Sequence, residues 1–202
     1  MSLMKKQLSK KHHLFGLIGP TGAGKTEISK HMREKHGFFY IPSVTTRSVR
    51  KGNTEEYKHV EVDVFESFIK DKKLLEYAIF TEHYYGKLKK DIEKHLKRGH
   101  CIYTLTTDKV KKLKDAYTHT KIICILPQKP ILETVEKRLK DRGHSKKEIE
   151  KRLETVKKDL LLIKKLKKKK LIDHFVQTLE EDYQHALKQI DKIVKKHVNP
   201  VR

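Results

Sequence analysis

Short apolar runs alternate along this chain with longer segments whose apolar residues recur every three or four positions. Leu14–Ile18, Phe38–Ile41, Cys101–Leu105, Lys121–Leu126 and Phe175–Thr178 are runs of the first kind. Largely apolar runs of this length suit strands buried on both faces. The segments between them predict helices, because a three-and-four spacing places apolar residues on one stripe. The first runs to about Lys35, with Ile28 and Met32 inward, and Gly37 ends it. Others are predicted at Leu88–Lys97 and at about Asp108–Lys114. After Pro130, Ile131, Val135 and Leu139 share a helical face, and Gly143 breaks that helix. Ser145 then reads as an N-cap with Glu148 three residues on, a capping box. The helix it opens carries Ile149, Leu153, Val156, Leu160 and Ile163. A coiled coil would use the same stripe, but just over two heptads is short for one. The last helix, Glu180 to about Lys196, buries Tyr183, Leu187, Ile190 and Val194. Strands alternating with helices imply an α/β fold of three layers, with a roughly five-stranded, mainly parallel sheet.

The stretch from Ser43 to Lys87 breaks this rhythm. Tyr57–Val62 and Leu74–Phe80 read as strands, Val64–Ile69 as a short helix, and His83-Tyr84-Tyr85-Gly86 as an aromatic turn. This is a small strand-rich insertion in the core. The 202 residues suffice for one sizeable core. No apolar run approaches the roughly 20 residues of a membrane span. Residues 1–13 read as a polar tail without the apolar centre of a signal peptide. Cys101 and Cys124 sit in strand runs and read as buried thiols of a reducing compartment, so a cytoplasmic location is expected. The 13 histidines show no ligand spacing. The formal net charge of +22 suits a nucleic-acid binder, and equally a lysine-biased protein with anionic substrates. The lysines cover nearly every helix face; the densest run, Lys164 to Lys170, reads as a solvated helix end.

Candidate chemistry concentrates in Gly19-Pro20-Thr21-Gly22-Ala23-Gly24-Lys25-Thr26, which matches the phosphate-binding loop G-x-x-x-x-G-K-[ST]. It lies between a strand and a helix, the context that the motif requires. Glycines let backbone amides close round a phosphate, and the helix N-terminus adds its own. Lys25 would reach the β- and γ-phosphates and the Thr26 hydroxyl would meet Mg²⁺. Gly19, Thr21, Gly22, Ala23 and Gly24 are the other nucleotide-binding candidates. A second anion site is expected around Arg47 and Arg50, two arginines among hydroxyls, although a solvated loop has the same composition. Arg138 and Arg142, four apart, share a helix face.

Taken in order, the phosphate loop, Ser43-Val44-Thr45-Thr46-Arg47-x-x-Arg50-x-Gly52, Glu76-Tyr77-Ala78, Tyr84-Tyr85-Gly86, Arg138-Leu139-x-x-Arg142-Gly143 and Arg152-Leu153 resemble guanylate kinase. The resemblance covers about Leu14 to Leu160. It implies transfer of the γ-phosphoryl of ATP, with Mg²⁺, to GMP or dGMP. It implies a core of residues 14–42, 88–137 and 153–198, an acceptor-binding insertion of 43–87 and a lid of 138–152. It implies that Ser43, Arg47, Arg50, Tyr57 and Tyr85 surround the acceptor phosphate and that Glu76 accepts hydrogen bonds from guanine. Arg138, Arg142 and Arg152 would close on the transferring phosphates. The expected partners are nucleotides alone, with no membrane and no specific nucleic acid, for a monomer or homodimer.

Four positions depart from the family pattern. Thr104 and Thr106 stand where an Asp-x-Asp is usual, Lys87 where a hydroxyl is usual, and Asn53 where Glu is usual. Three readings fit these departures: a guanylate kinase with altered base specificity, a kinase of another phosphorylated acceptor such as a ribose phosphate, and a catalytically weak binding relative.

Overall fold

A computed structural model of the chain describes residues 12–49, 56–80 and 82–198. In chain order the elements are β1 (Leu14–Ile18), α1 (Lys25–His36), β2 (Phe39–Tyr40), β3 (Ser43–Thr45), β4 (Tyr57–His59), α2 (Val62–Lys70), β5 (Leu74–Phe80), β6 (His83–Leu88), α3 (Lys89–Arg98) and β7 (Cys101–Thr104). A 3-10 turn (Thr107–Lys109) leads into α4 (Val110–Ala116), then β8 (Thr120–Pro127), α5 (Ile131–Asp141), α6 (Lys146–Lys168), β9 (His174–Thr178) and α7 (Tyr183–His197).

The main sheet has the order β2-β7-β1-β8-β9, and every pairing in it is parallel. Its central strand shows why the run Leu14–Ile18 is apolar throughout. Phe15 and Leu17 point to one face, where Ile28 and Met32 of α1 and Ile190 and Val194 of α7 cover them. Leu14 and Ile18 point to the other, against Ile92 of α3, Leu113 of α4 and Ile163 of α6. Each such side chain, fully withdrawn from water, contributes about 1.5–3 kcal/mol. Both cysteines are free and buried, and burial pushes each thiol up to about 12. Gly37 ends α1 in the left-handed conformation (φ 67°), its N–H bonding back to Arg33 O.

A second sheet, β4-β3-β6-β5, follows directly from β2. It pairs β3 with β4 in parallel and β6 antiparallel with both β3 and β5. Its own small core is Val44, Phe65 of α2 and Leu74. The segment His83–Gly86, expected as a turn, is part of strand β6. Its aromatic residues pair across to β5, and Tyr84 stacks on Phe65 with ring centroids 5.0 Å apart. Gly86 is there for close packing: a Cβ would lie 3.0 Å from the Glu76 carbonyl oxygen. The reversal comes just earlier, at Glu82 (φ 67°).

Helices α5 and α6 form an antiparallel arm with its own cluster of Val135, Leu139, Ile149 and Val156. The capping box is present: the Ser145 N–H donates to Glu148 Oε2 at 2.9 Å and the Glu148 N–H to Ser145 Oγ at 3.4 Å. The lysine run lies at the exposed end of α6. Among the described residues no helix is long and apolar enough to cross a membrane.

Candidate active site

The loop between β1 and α1 is held by its carbonyl groups. Lys25 Nζ donates to Gly19 O and Pro20 O, each at 2.7 Å. Arg138 Nη1 donates to Gly22 O at 2.8 Å, Thr178 Oγ1 to Ala23 O at 3.2 Å, and the Tyr183 hydroxyl to Gly24 O at 3.2 Å. The carbonyls of residues 22–24 are thus each held by a side chain from outside the loop, while within it the Ala23 N–H donates to Pro20 O at 3.3 Å. Two glycines are required here. A Cβ on Gly19 would sit 2.1 Å from the Ile125 carbonyl oxygen of β8, and Gly24, the residue that starts α1, has φ 90°. Burial pulls the Lys25 ammonium down to about 8, and the Asp159 carboxylate opposes that shift. Thr26 is exposed on the first turn of α1.

Thr178, Tyr183 and Asp159 were not expected at this site. Asp159 occupies the inward stripe of α6, three residues after Val156 and four before Ile163, both buried. It bonds to Thr107 of the 3-10 turn, and burial raises its pKa against the pull of Thr107 and Lys25. A carboxylate interrupting an apolar stripe was the available signal.

The three arginines expected in the lid stand differently. Arg138 is held in place: besides Gly22 it donates to Thr178 Oγ1 at 3.1 Å, and its Nε lies 3.9 Å from Glu180. Arg152 Nη1 reaches Thr21 Oγ1 of the phosphate loop at 3.5 Å. Arg142 is exposed at the end of α5. The structure therefore brings Arg138 and Arg152 to the loop and leaves Arg142 outside it.

On the second sheet, Thr45 and Thr46 clamp β3 to β6: Thr45 Oγ1 donates to Tyr84 O at 2.8 Å and the Tyr84 N–H to Thr46 Oγ1 at 3.0 Å. This clamp fixes the backbone leading into Arg47, whose guanidinium lies over Tyr57 (4.9 Å) and near Tyr85 (5.9 Å). Its Nε and Nη2 are buried and have no hydrogen-bond partner among the described residues. A desolvated guanidinium with open donors is costly unless an anion completes it. Ser43 opens β3 beside Tyr57 in the register. Arg50, with Gly52 and Asn53, lies outside the described residues.

Glu76 sits across from Lys87 in the β5–β6 register. Tyr103, at the C-terminal end of β7, donates its hydroxyl to Glu76 Oε1. This bond ties the second sheet to the main sheet beside β1, at the strand ends where α/β proteins bind ligands. Burial raises the Glu76 pKa, against Tyr103 and Lys87. Thr104 bonds to the Tyr40 hydroxyl, and Thr106 is exposed.

A sequence model of the guanylate kinase family matches residues 11–197. The guanylate kinase of Mycoplasma genitalium is 30% identical over 181 residues, 87% of this chain and 75% of that protein. That of Synechocystis is 29% identical over 194 residues, 93% of this chain and 96% of its own length. The chain belongs to the guanylate kinase family. The fold agrees: the crystal structure of guanylate kinase from Anaplasma phagocytophilum superposes with a TM-score of 0.67, covering 95% of this chain and 88% of that one at 18% identity. Against this family background the departures gain positions. Thr104 ends β7 beside β1 with Thr106 just beyond it, and Lys87 pairs with Glu76 in the β5–β6 register.

Proposed function

We propose that this protein catalyses phosphorylation of GMP by ATP through direct in-line phosphoryl transfer. The observation that carries the reading is Arg47, a buried guanidinium with two open donors in a tyrosine cage, in the same molecule as a phosphate loop. Two anion sites suit a donor and an acceptor that both carry phosphate. In-line transfer demands position and charge neutralisation, with little covalent work by the protein.

In this reading each residue has a role. Backbone N–H groups of Thr21, Gly22 and Gly24, with Lys25, take the β- and γ-phosphates of ATP, Lys25 exchanging its two carbonyl partners for phosphate oxygens. Arg47 and Arg50, with Ser43, Tyr57 and Tyr85, hold the acceptor phosphate. Glu76 accepts from the guanine edge. Residues 43–87 act as the acceptor-binding unit and 138–152 as the lid on a core of 14–42, 88–137 and 153–198. Arg138 and Arg152 already rest on the phosphate loop, and lid closure brings Arg142 in and excludes water. The exposed Thr26 hydroxyl, with the Asp159 carboxylate near Lys25, is a set of hard oxygen donors that fits Mg²⁺. When bound there, Mg²⁺ supplies neutralisation of the transferring charge. We place the reaction in the cytoplasm, on free nucleotides.

The test is ADP release from Mg-ATP with GMP, dGMP, AMP, UMP, CMP, dTMP, ribose 1,5-bisphosphate and water. Turnover with GMP at least tenfold above every other acceptor except dGMP is expected. Preference for another acceptor, or binding of nucleotide without turnover, overturns the assignment.

A further inference from the structure

Among the described residues, Lys87 is the one lysine in the set of largest fully buried side chains. Its Nζ donates to Ile41 O at 2.5 Å. It lies 4.7 Å from the centroid of the Tyr103 ring and 5.2 Å from that of Tyr40. The register pairs it with Glu76, whose carboxylate takes the Tyr103 hydroxyl. The resemblance implies a neutral hydroxyl at this position, so a buried cation stands across the strand pair from the proposed base-reading carboxylate. We infer that Lys87 is a positioning residue for the acceptor base, a buried counter-ion that keeps Glu76 ionised and fixed with Tyr103 in the pocket that receives guanine.

This inference rests on the proposed function. An uncharged carboxyl donates one proton and offers a single good acceptor, so it cannot accept from two guanine N–H groups at once. Burial pushes Glu76 toward that uncharged form. Three groups oppose it: the Tyr103 hydroxyl, the Lys87 ammonium and, more weakly, Lys109 of the 3-10 turn, with Asp108 acting against them. Lys87 is faced by Glu76 from β5, Glu56 before β4 and Asp91 of α3, each favouring its charged form. Burial still pulls it down to about 7. Each of the two charges therefore favours the ionised form of the other. Thr104 and Thr106 stand in place of acids at the end of β7, and the next carboxylate along the chain, Asp108 of the 3-10 turn, is near enough to Glu76 to act on it.

The sign of the effect is fixed. GMP use requires ionised Glu76, so kcat/KM for GMP falls on the acid side with the pKa of that group. Removing the Lys87 charge raises that pKa and moves the acid limb to higher pH. The experiment is the pH profile of kcat/KM for GMP in wild type, Lys87→Gln and Lys87→Met, with KM for ATP measured beside it. Gln keeps an N–H donor for Ile41 O and Met keeps the bulk of the stem. We expect the acid limb to move up by at least one pH unit in both variants, roughly a tenfold loss on its slope that recovers by pH 9, with KM for ATP unchanged and no such limb in Glu76→Gln. A uniform loss at all pH values, or an unmoved limb, overturns the inference and leaves Lys87 structural. Should neither variant fold, the infrared difference between wild type and Glu76→Gln decides: a carboxylate band at pH 7 supports it, and a protonated carboxyl band overturns it. Absence of GMP turnover in folded wild type would sink the proposed function instead, and the infrared band would still report the state of Glu76.

Discussion

Lys25 shows how one residue is shaped by its surroundings. Its ammonium is drawn back over the loop by the carbonyls of Gly19 and Pro20 and is desolvated there, so its pKa falls to about 8. The charged form is the one that neutralises phosphate. In the free enzyme that form is lost as pH rises through about 8, so kcat/KM for ATP should fall on the alkaline side with a midpoint near that value. Bound phosphates favour the ammonium, so the limb in kcat should lie higher. Lys25→Arg, with a guanidinium that does not titrate in this range, should lose the alkaline limb. Lys25→Ala should lose roughly 10²–10³ in kcat while melting as the wild type does. An alkaline limb that persists in Lys25→Arg would assign it to another group. The motif made Lys25 and the loop glycines legible in the sequence. Arg47 was legible only as one of two loop arginines. Its cage of Tyr57 and Tyr85 comes from two separate strands, β4 and β6, and no local pattern encodes that meeting. Thr178 and Tyr183 were equally hidden. They tie the loop from more than 150 positions away, and in the sequence they read as a strand end and an apolar helix residue.

At the scale of elements, periodicity carried most of the information because each helix and core strand is amphipathic or buried for a local reason. Strand β6 was one exception, beside β3, which had read as loop, and β4, which stops at His59 where a strand to Val62 was expected. Tyr84, Tyr85 and Gly86 look like turn residues until β5 and β3 are placed on either side, and that pairing is a tertiary fact. Helix α6 illustrates the opposite case. Its start was readable from Ser145 and Glu148 alone, and the same helix turns out to deliver both Arg152 and Asp159 to the phosphate loop. The cap therefore links stability to the site. Ser145→Ala removes the acceptor for the Glu148 N–H and frees the first turn, at a cost of about 1 kcal/mol. For a chain of this size that is roughly 2–4 °C in Tm. Because Arg152 lies nearly two turns inside the helix, kcat should fall only modestly. Calorimetry and steady-state rates on the same variant check both halves, and a large loss of rate with an unchanged Tm would show that Ser145 acts on the reaction directly.

The whole molecule assembles what the sequence scatters. In a parallel sheet all strands start at one edge, so residues that precede distant strands become neighbours. His13 precedes β1, His100 precedes β7, His119 precedes β8 and His174 begins β9, while His197 ends α7 on the same edge. His13 stacks on His100 at 5.8 Å, and His174 Nε2 lies 2.7 Å from His197 Nε2. Thirteen histidines without ligand spacing thus become, in part, a packed cluster on a protein already carrying a formal charge of +22. Burial and neighbouring positive groups pull His100 and His197 down to about 4, and burial lowers His13 and His174. A histidine whose folded pKa lies below its unfolded value of about 6.5 stabilises the protein only while it stays neutral. Between about 6.5 and 4 the unfolded chain binds more protons, so stability must fall as pH falls through that window. Solvent screening at this partly exposed edge reduces the effect of each ring. Taken together, the cluster should lower Tm by roughly 5 °C or more between pH 6.5 and 4.5. Carboxylates add to any acid loss, so the wild-type curve alone does not isolate the cluster. His197→Gln does: it removes one titrating ring and relieves the charge it would impose on His174 and His13, so the Tm of this variant should fall less steeply over the same window. Equal slopes for the two proteins would place the acid sensitivity elsewhere in the molecule.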